Sequence, residues 1–94
     1  MTTADAPRDE LRPRFAPHVR LMFDRRGDRW VIQAPERLLM PDDVAVQILQ
    51  RCDGRSVKDI VDDLVQGFDA PRDEIARDVE AMIDSLRQRG ILVS

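Results

Sequence analysis

Apolar residues alternate with polar ones twice in the first half of the 94-residue chain, then change to a spacing of three and four that holds to the end. In "VRLMFDRRGDRWVIQA", Val19, Leu21 and Phe23 recur at every second position, and Trp30, Ile32 and Ala34 do the same after "DRRGD". Period two puts such side chains on one face of an extended strand, so this stretch predicts a β-hairpin. Gly27 is expected at the left-handed position of a three-residue loop with a bulge. "PER" then leads into "LLM", residues 38 to 40, a third strand that Pro41 stops, since proline brings no N–H to a ladder. Three short strands bury only one face, and something must cover it.

Three amphipathic helices supply the cover. The first is capped by Asp42, runs through Val44, Ala45, Ile48, Leu49 and Cys52, and ends at "DG". The second opens on "SVKD", with Ser56 as cap and Asp59 three residues on; Val57, Ile60, Val61, Leu64 and Phe68 form its stripe. The third begins near Asp69 with Pro71 in its first turn, carries Ile75, Val79, Met82, Ile83 and Leu86 on one face, and ends at Gly90 as a left-handed C-cap. A closing "ILV" is expected to pack back on the core. The fold class is therefore α+β, a three-stranded antiparallel sheet packed on three helices in a winged-helix-like arrangement. Residues 1–16, with prolines spaced through charges, read as a flexible arm that orders from Leu11 onward; residues 17–94 form the domain.

Composition changes this picture little. An apolar fraction of 43% and a charged fraction of 35% suit one small globular domain. No apolar run approaches the roughly 18 residues of a membrane span, and the first residues lack the apolar stretch of a signal peptide. A single cysteine leaves no internal disulfide, and a cytoplasmic location is expected.

Charge changes it more. Residues 1–37 carry eight Arg against six Asp or Glu, net +2, while residues 38–94 carry seven basic against twelve acidic groups, net −5. A helical half this acidic opposes phosphate, which argues against a recognition helix for DNA. A winged-helix DNA-binding regulator remains the alternative, resting on the hairpin arginines Arg20, Arg25, Arg26 and Arg29, which also suit a solvated surface or an acidic partner.

Catalytic chemistry finds no foothold. His18 is the only imidazole and sits between Pro17 and Val19, so one Cys and one His cannot assemble a zinc site. Asp42/Asp43 and Asp62/Asp63 are adjacent on helices and diverge by about 100 degrees instead of converging on one ion. The four glycines stand singly, with no phosphate-binding pattern. Cys52 beside Asp53 and Gly54 has the look of a reactive thiol, yet it falls three residues after Leu49 and four after Ile48, on the apolar face, and reads as core. The reading is a non-enzyme without cofactor or metal. What remains is the apolar strand "RLLM" beside a long helix, an open sheet edge of the kind that accepts an extended peptide as a further strand.

The segment "ERLLMPDDVAVQILQRCDGRSVKDIVDDLVQGF", the terminal helix closing on "GIL" and the early "RPRF" resemble the PqqD family and, more broadly, the PqqD-type recognition elements of ribosomal peptide modification. The resemblance spans roughly residues 12 to 93. It implies a peptide chaperone of pyrroloquinoline quinone biosynthesis that binds the precursor peptide PqqA and presents it to the radical S-adenosylmethionine enzyme PqqE; relatives serving other peptide pathways keep a different precursor open. It also implies that the peptide pairs with Arg37, Leu38, Leu39 and Met40 and lies against the third helix among Ile75, Asp78, Val79, Met82, Ile83 and Leu86. Pro41 and Asp42 depart from the family's usual aliphatic residue and Asn cap. An exposed edge also leaves a homodimer open.

Overall fold

In the computed structural model, which describes residues 10–93, five strands and three helices follow in the order β1 (Arg14–Phe15), β2 (Arg20–Asp24), β3 (Arg29–Ala34), β4 (Arg37–Leu39), α1 (Asp43–Leu49), α2 (Val57–Gly67), α3 (Arg72–Gln88) and β5 (Leu92–Val93). β2, β3 and β4 form an antiparallel sheet in sequence order, and β1 pairs with β5 in a separate two-stranded one. The three strands and three helices expected from periodicity are therefore present. The winged-helix likeness is one of arrangement only.

Capping explains the helix boundaries. The Asp42 carboxylate accepts from the N–H of Ala45 at 2.8 Å, and the Ser56 hydroxyl accepts from the N–H of Asp59 at 3.1 Å, each satisfying a donor that the helix itself leaves orphaned. α3 has no side-chain cap; Pro71 precedes it, and Asp73 and Glu74 put negative charge at the positive end of its dipole. At its other end Gly90, at φ +77, turns the chain so that the Ile91 N–H donates to the Leu86 carbonyl at 2.9 Å.

The core lies where the helical stripes meet the inner face of the sheet. Ile48 and Leu49 of α1, Ile60 and Val61 of α2, and Val79 and Ile83 of α3 pack with Ile32 of β3 and with Ile91 and Leu92. Each such side chain, fully removed from water, contributes about 1.5–3 kcal/mol before entropy is set against it.

Four local expectations need correction. The hairpin loop is four residues, because Asp24 pairs with Arg29; its left-handed residue is Asp28, at φ +55, and not Gly27. A Cβ at Gly27 would come within 2.9 Å of the Asp24 carboxylate and 2.7 Å of the Arg29 guanidinium, two flexible side-chain ends that can shift to admit it. β4 begins at Arg37 and ends at Leu39, so Met40 lies beyond it. Val44 and Phe68, placed by spacing in the core stripes, are 52% and 45% exposed.

Of the arm, residues 1–9 lie outside the described residues, and from Leu11 onward, where ordering was expected, the chain is built into the fold. Arg14 pairs with Val93 and Phe15 with Leu92, Pro13 is fully buried, and Leu11 and Phe15 pack against the core. The closing "ILV" explains why: β5 offers an unpaired edge that a second short strand satisfies.

Candidate functional site

β4 is an outer strand of its sheet, at the opposite edge from β2. It is reached through a two-residue turn, Pro35–Glu36, in which Glu36 takes φ +60 and Ala34 stands opposite Arg37. A turn of this length closes on a hydrogen-bonded pair, and pairs alternate along an antiparallel ladder. Leu38, opposite Gln33, is consequently the residue whose N–H and C=O point to the open side. Its side chain projects from the outer face of the sheet and is 58% exposed, whereas Leu39, opposite Ile32, turns inward.

α3 runs beside this edge in the opposite direction. At one end the Arg37 guanidinium donates to the carbonyl of Arg89, the C-cap of α3, at 3.1 Å. Between them Leu39, Met40 and Pro41 face Met82, Ser85 and Leu86 across a hollow of about 310 Å³. Met82, Ser85, Leu86 and Arg89 are spaced by three, four and seven, which is why one helix face presents all of them. Met40 is 59% exposed, with its sulfur 3.4 Å from a guanidinium nitrogen of Arg29.

A second, smaller hollow of about 150 Å³ follows along α3. Val44, Phe68 and Ala70 form its walls, Ile48, Leu64, Ile75 and Val79 its floor, and Glu74 and Asp78 part of its rim. The ten residues implied by the family resemblance thus separate. Leu39, Met40, Met82 and Leu86 come together around the first hollow, with Arg37 closing its end. Ile75, Asp78 and Val79 line the second. Leu38 contributes backbone, and Ile83 is 1% exposed in the core and lines neither.

Sequence reasoning missed Ser85 and Arg89, although their spacing from Met82 on α3 was a usable signal. Val44 and Phe68 were hidden by the same periodicity that found the core, since a groove wall at a helix end has the spacing of a buried residue.

Cys52 belongs to neither hollow. Its thiol is buried and donates to the Ile48 carbonyl at 3.3 Å; burial and, secondarily, the neighbouring Asp53 charge push its pKa up to about 12. Such a thiol holds its proton and is no nucleophile. Asp53, by contrast, is held down to about 2 because Arg55 donates to it from the guanidinium, at 3.1 and 2.9 Å, and from its backbone N–H at 3.2 Å. Among the described residues no three His, Cys, Asp or Glu side chains gather as a metal site would require, and no helix is long and apolar enough to cross a membrane.

Known proteins resemble this chain over most of its length. The pattern of the family described as coenzyme PQQ synthesis protein D (PqqD) matches residues 29–92. A PqqA binding protein of Rhodopseudomonas palustris (strain BisB5) is 52% identical over 82 residues, 86% of this chain and 80% of that protein. One of Xanthomonas axonopodis pv. citri is 43% identical over 84 residues, 88% of this chain and 91% of the relative. The solution structure of the PqqD part of Methylobacterium extorquens PqqCD, a stand-alone recognition element for ribosomally synthesized and modified peptides, superimposes with a TM-score of 0.72 at 38% identity, covering 87% of this chain and 88% of that one. Lasso peptide synthetase B1, solved in complex with the leader peptide, shares the fold at a TM-score of 0.75 and 24% identity, over 89% of this chain and all of that one.

Proposed function

This chain belongs to the PqqD family, and on that premise we propose that it is a non-enzymatic peptide chaperone of pyrroloquinoline quinone biosynthesis, binding PqqA and presenting it to the radical S-adenosylmethionine enzyme PqqE. The observation that carries this reading is the open edge of β4, with the N–H and C=O of Leu38 unpaired beside the hollow between Leu39 and Met82. An extended peptide added there gains main-chain hydrogen bonds, each worth about 0.5–1.5 kcal/mol net. Met82 and Leu86 then offer apolar surface to alternate peptide side chains, which supplies the selectivity that backbone pairing lacks.

The division of labour follows from the same chemistry. A carrier needs a rigid edge and a groove, and the buried, protonated Cys52 gives it no nucleophile. Titration with synthetic PqqA up to high micromolar concentration, read by calorimetry and by amide shifts, tests the reading. Saturable binding with shifts concentrated in residues 37 to 40 and along 82 to 89 is expected. Absence of heat and of shifts at those positions rejects it, and saturable binding of another precursor but not PqqA would move the protein to a different peptide pathway.

A further inference from the structure

Strand pairing along β4 cannot continue indefinitely. Leu39 is the last residue of the strand, and Pro41 two positions later has no N–H to offer an added chain. A peptide that pairs with β4 and continues past Pro41 must find its next interactions elsewhere. The chain itself leads directly to them: Asp42 and Ala45 border the first hollow, and Val44, on the same turn of α1, forms a wall of the second.

α3 joins the two hollows from the other side. Because it runs opposite to β4, Arg89 lies level with Arg37, Met82 and Leu86 with Leu39 and Met40, and Ile75 and Asp78 with Val44. The helix residues of the two hollows are centred about nine positions apart, or about 13.5 Å at 1.5 Å per residue. An extended peptide covers that distance in about four residues at about 3.3 Å each.

The charge at the two ends differs in sign. Arg37 and Arg89 stand at the far end of the strand groove, while Glu74 and Asp78 rim the second hollow and the exposed Asp43 begins α1 beside it. An apolar hollow so rimmed favours a bulky apolar side chain with a cation next to it.

We propose that the hollow formed by Val44, Phe68 and Ile75 is a second anchor subsite for the peptide bound at β4. It takes a bulky apolar residue about four positions beyond the strand-paired segment, with a lysine or arginine adjacent to that residue. This rests on the peptide-binding reading above and deepens it, since it assigns the spacing between the paired segment and an anchor residue of the bound chain. Backbone pairing at β4 is nearly blind to sequence; an anchor of fixed offset is not, so the second subsite adds a register requirement to the selectivity that Met82 and Leu86 supply.

The test uses the full chain and synthetic PqqA, with Val44→Glu and Phe68→Ser variants. Both positions are substantially exposed, so the variants keep the core, and thermal melts verify it. Both are expected to bind PqqA at least tenfold more weakly while the amide shifts of residues 38 to 40 persist at saturation. Truncating the peptide on the anchor side is expected to cost a similar factor against the native chain and almost nothing further against Val44→Glu. Wild-type affinity in both variants, or truncation and substitution losses that simply add, overturns the second subsite and leaves the chaperone reading standing. Failure of the native chain to bind PqqA, or binding without shifts at residues 38 to 40, overturns both.

Discussion

The backbone N–H of Val57, the first residue of α2, donates to the carbonyl of Leu11 at 2.7 Å. A helix start thereby takes its partner from a segment far away in sequence. The same segment reaches Gly54, whose carbonyl accepts from the Arg12 guanidinium at 3.2 Å, and pairs at Arg14 with Asp53. The α1–α2 connection is thus held from outside by residues 11–14, and the stability of the helical layer depends on them.

Phe15→Ala is accordingly expected to lower stability by about 1–3 kcal/mol, below the cost of deleting a fully buried phenylalanine because Phe15 is half-buried. Urea unfolding measures it, as a shifted midpoint with an unchanged slope. A midpoint equal to that of the native chain would mean that β1 adds nothing to the domain.

Leu38→Pro separates the peptide edge from the fold. The N–H it removes faces the open side, and proline is tolerated on an edge strand, so stability should change by less than about 1 kcal/mol. Affinity for PqqA is expected to fall at least tenfold in calorimetry. Unaltered affinity in the folded variant would exclude main-chain pairing at this residue.

The thiol of Cys52 gives a chemical and a thermodynamic expectation. Maleimide at pH 7 should leave the native protein unlabelled and react fully in denaturant, because the thiol is buried and protonated. The folded pKa of about 12 lies above the unfolded value of 9.0, so below pH 9 both states keep the proton and the contribution to stability is complete. Above pH 9 only the unfolded state ionises, and stability falls as pH rises toward 12. Cys52→Ala, costing about 1–2 kcal/mol for the lost packing, should flatten that alkaline decline without altering affinity for PqqA. Melting curves from pH 8 to 11 decide it.

Acid acts in the opposite sense on the aspartates. Asp53 is lowered to about 2 by Arg55, and Asp62 is lowered by hydrogen bonds from Lys58 and Arg72. For a depressed carboxyl the contribution is present above the unfolded value near 3.8 and is lost as pH falls through the folded one. Both groups are exposed, so solvent screens the effect and the loss should be gradual. Asp53→Asn should reduce the slope of melting temperature against pH between 4 and 2; an identical slope would show that the Asp53–Arg55 pair contributes nothing.

The particular residues show what was readable. Val19, Leu21 and Ile32 announced the hairpin, and Asp42 and Ser56 the starts of α1 and α2, because local periodicity and capping are written in adjacent positions. β1 was not readable as a strand: two residues carry no periodicity, and its partner Leu92–Val93 lies at the other end of the chain. The candidate site divided in the same way. Leu39, Met40, Met82 and Leu86 were found as a strand end and a helix face, whereas the separation of Ile75, Asp78 and Val79 into a hollow of their own depends on where Val44 and Phe68 are carried by the packing of α1 and α2. Spacing along one helix cannot report what stands opposite it.

An open strand beside an apolar groove is also a hazard, since copies of the chain can zip together along it. β4 has only three residues, and Pro41 follows them closely. Two such edges laid against each other would form too few hydrogen bonds to seed a growing fibre, whereas a longer ligand can add the contacts of the groove to the same few bonds. The brevity of the strand therefore acts as a filter: it discourages self-templating while leaving the edge free for a chain that brings its own anchors.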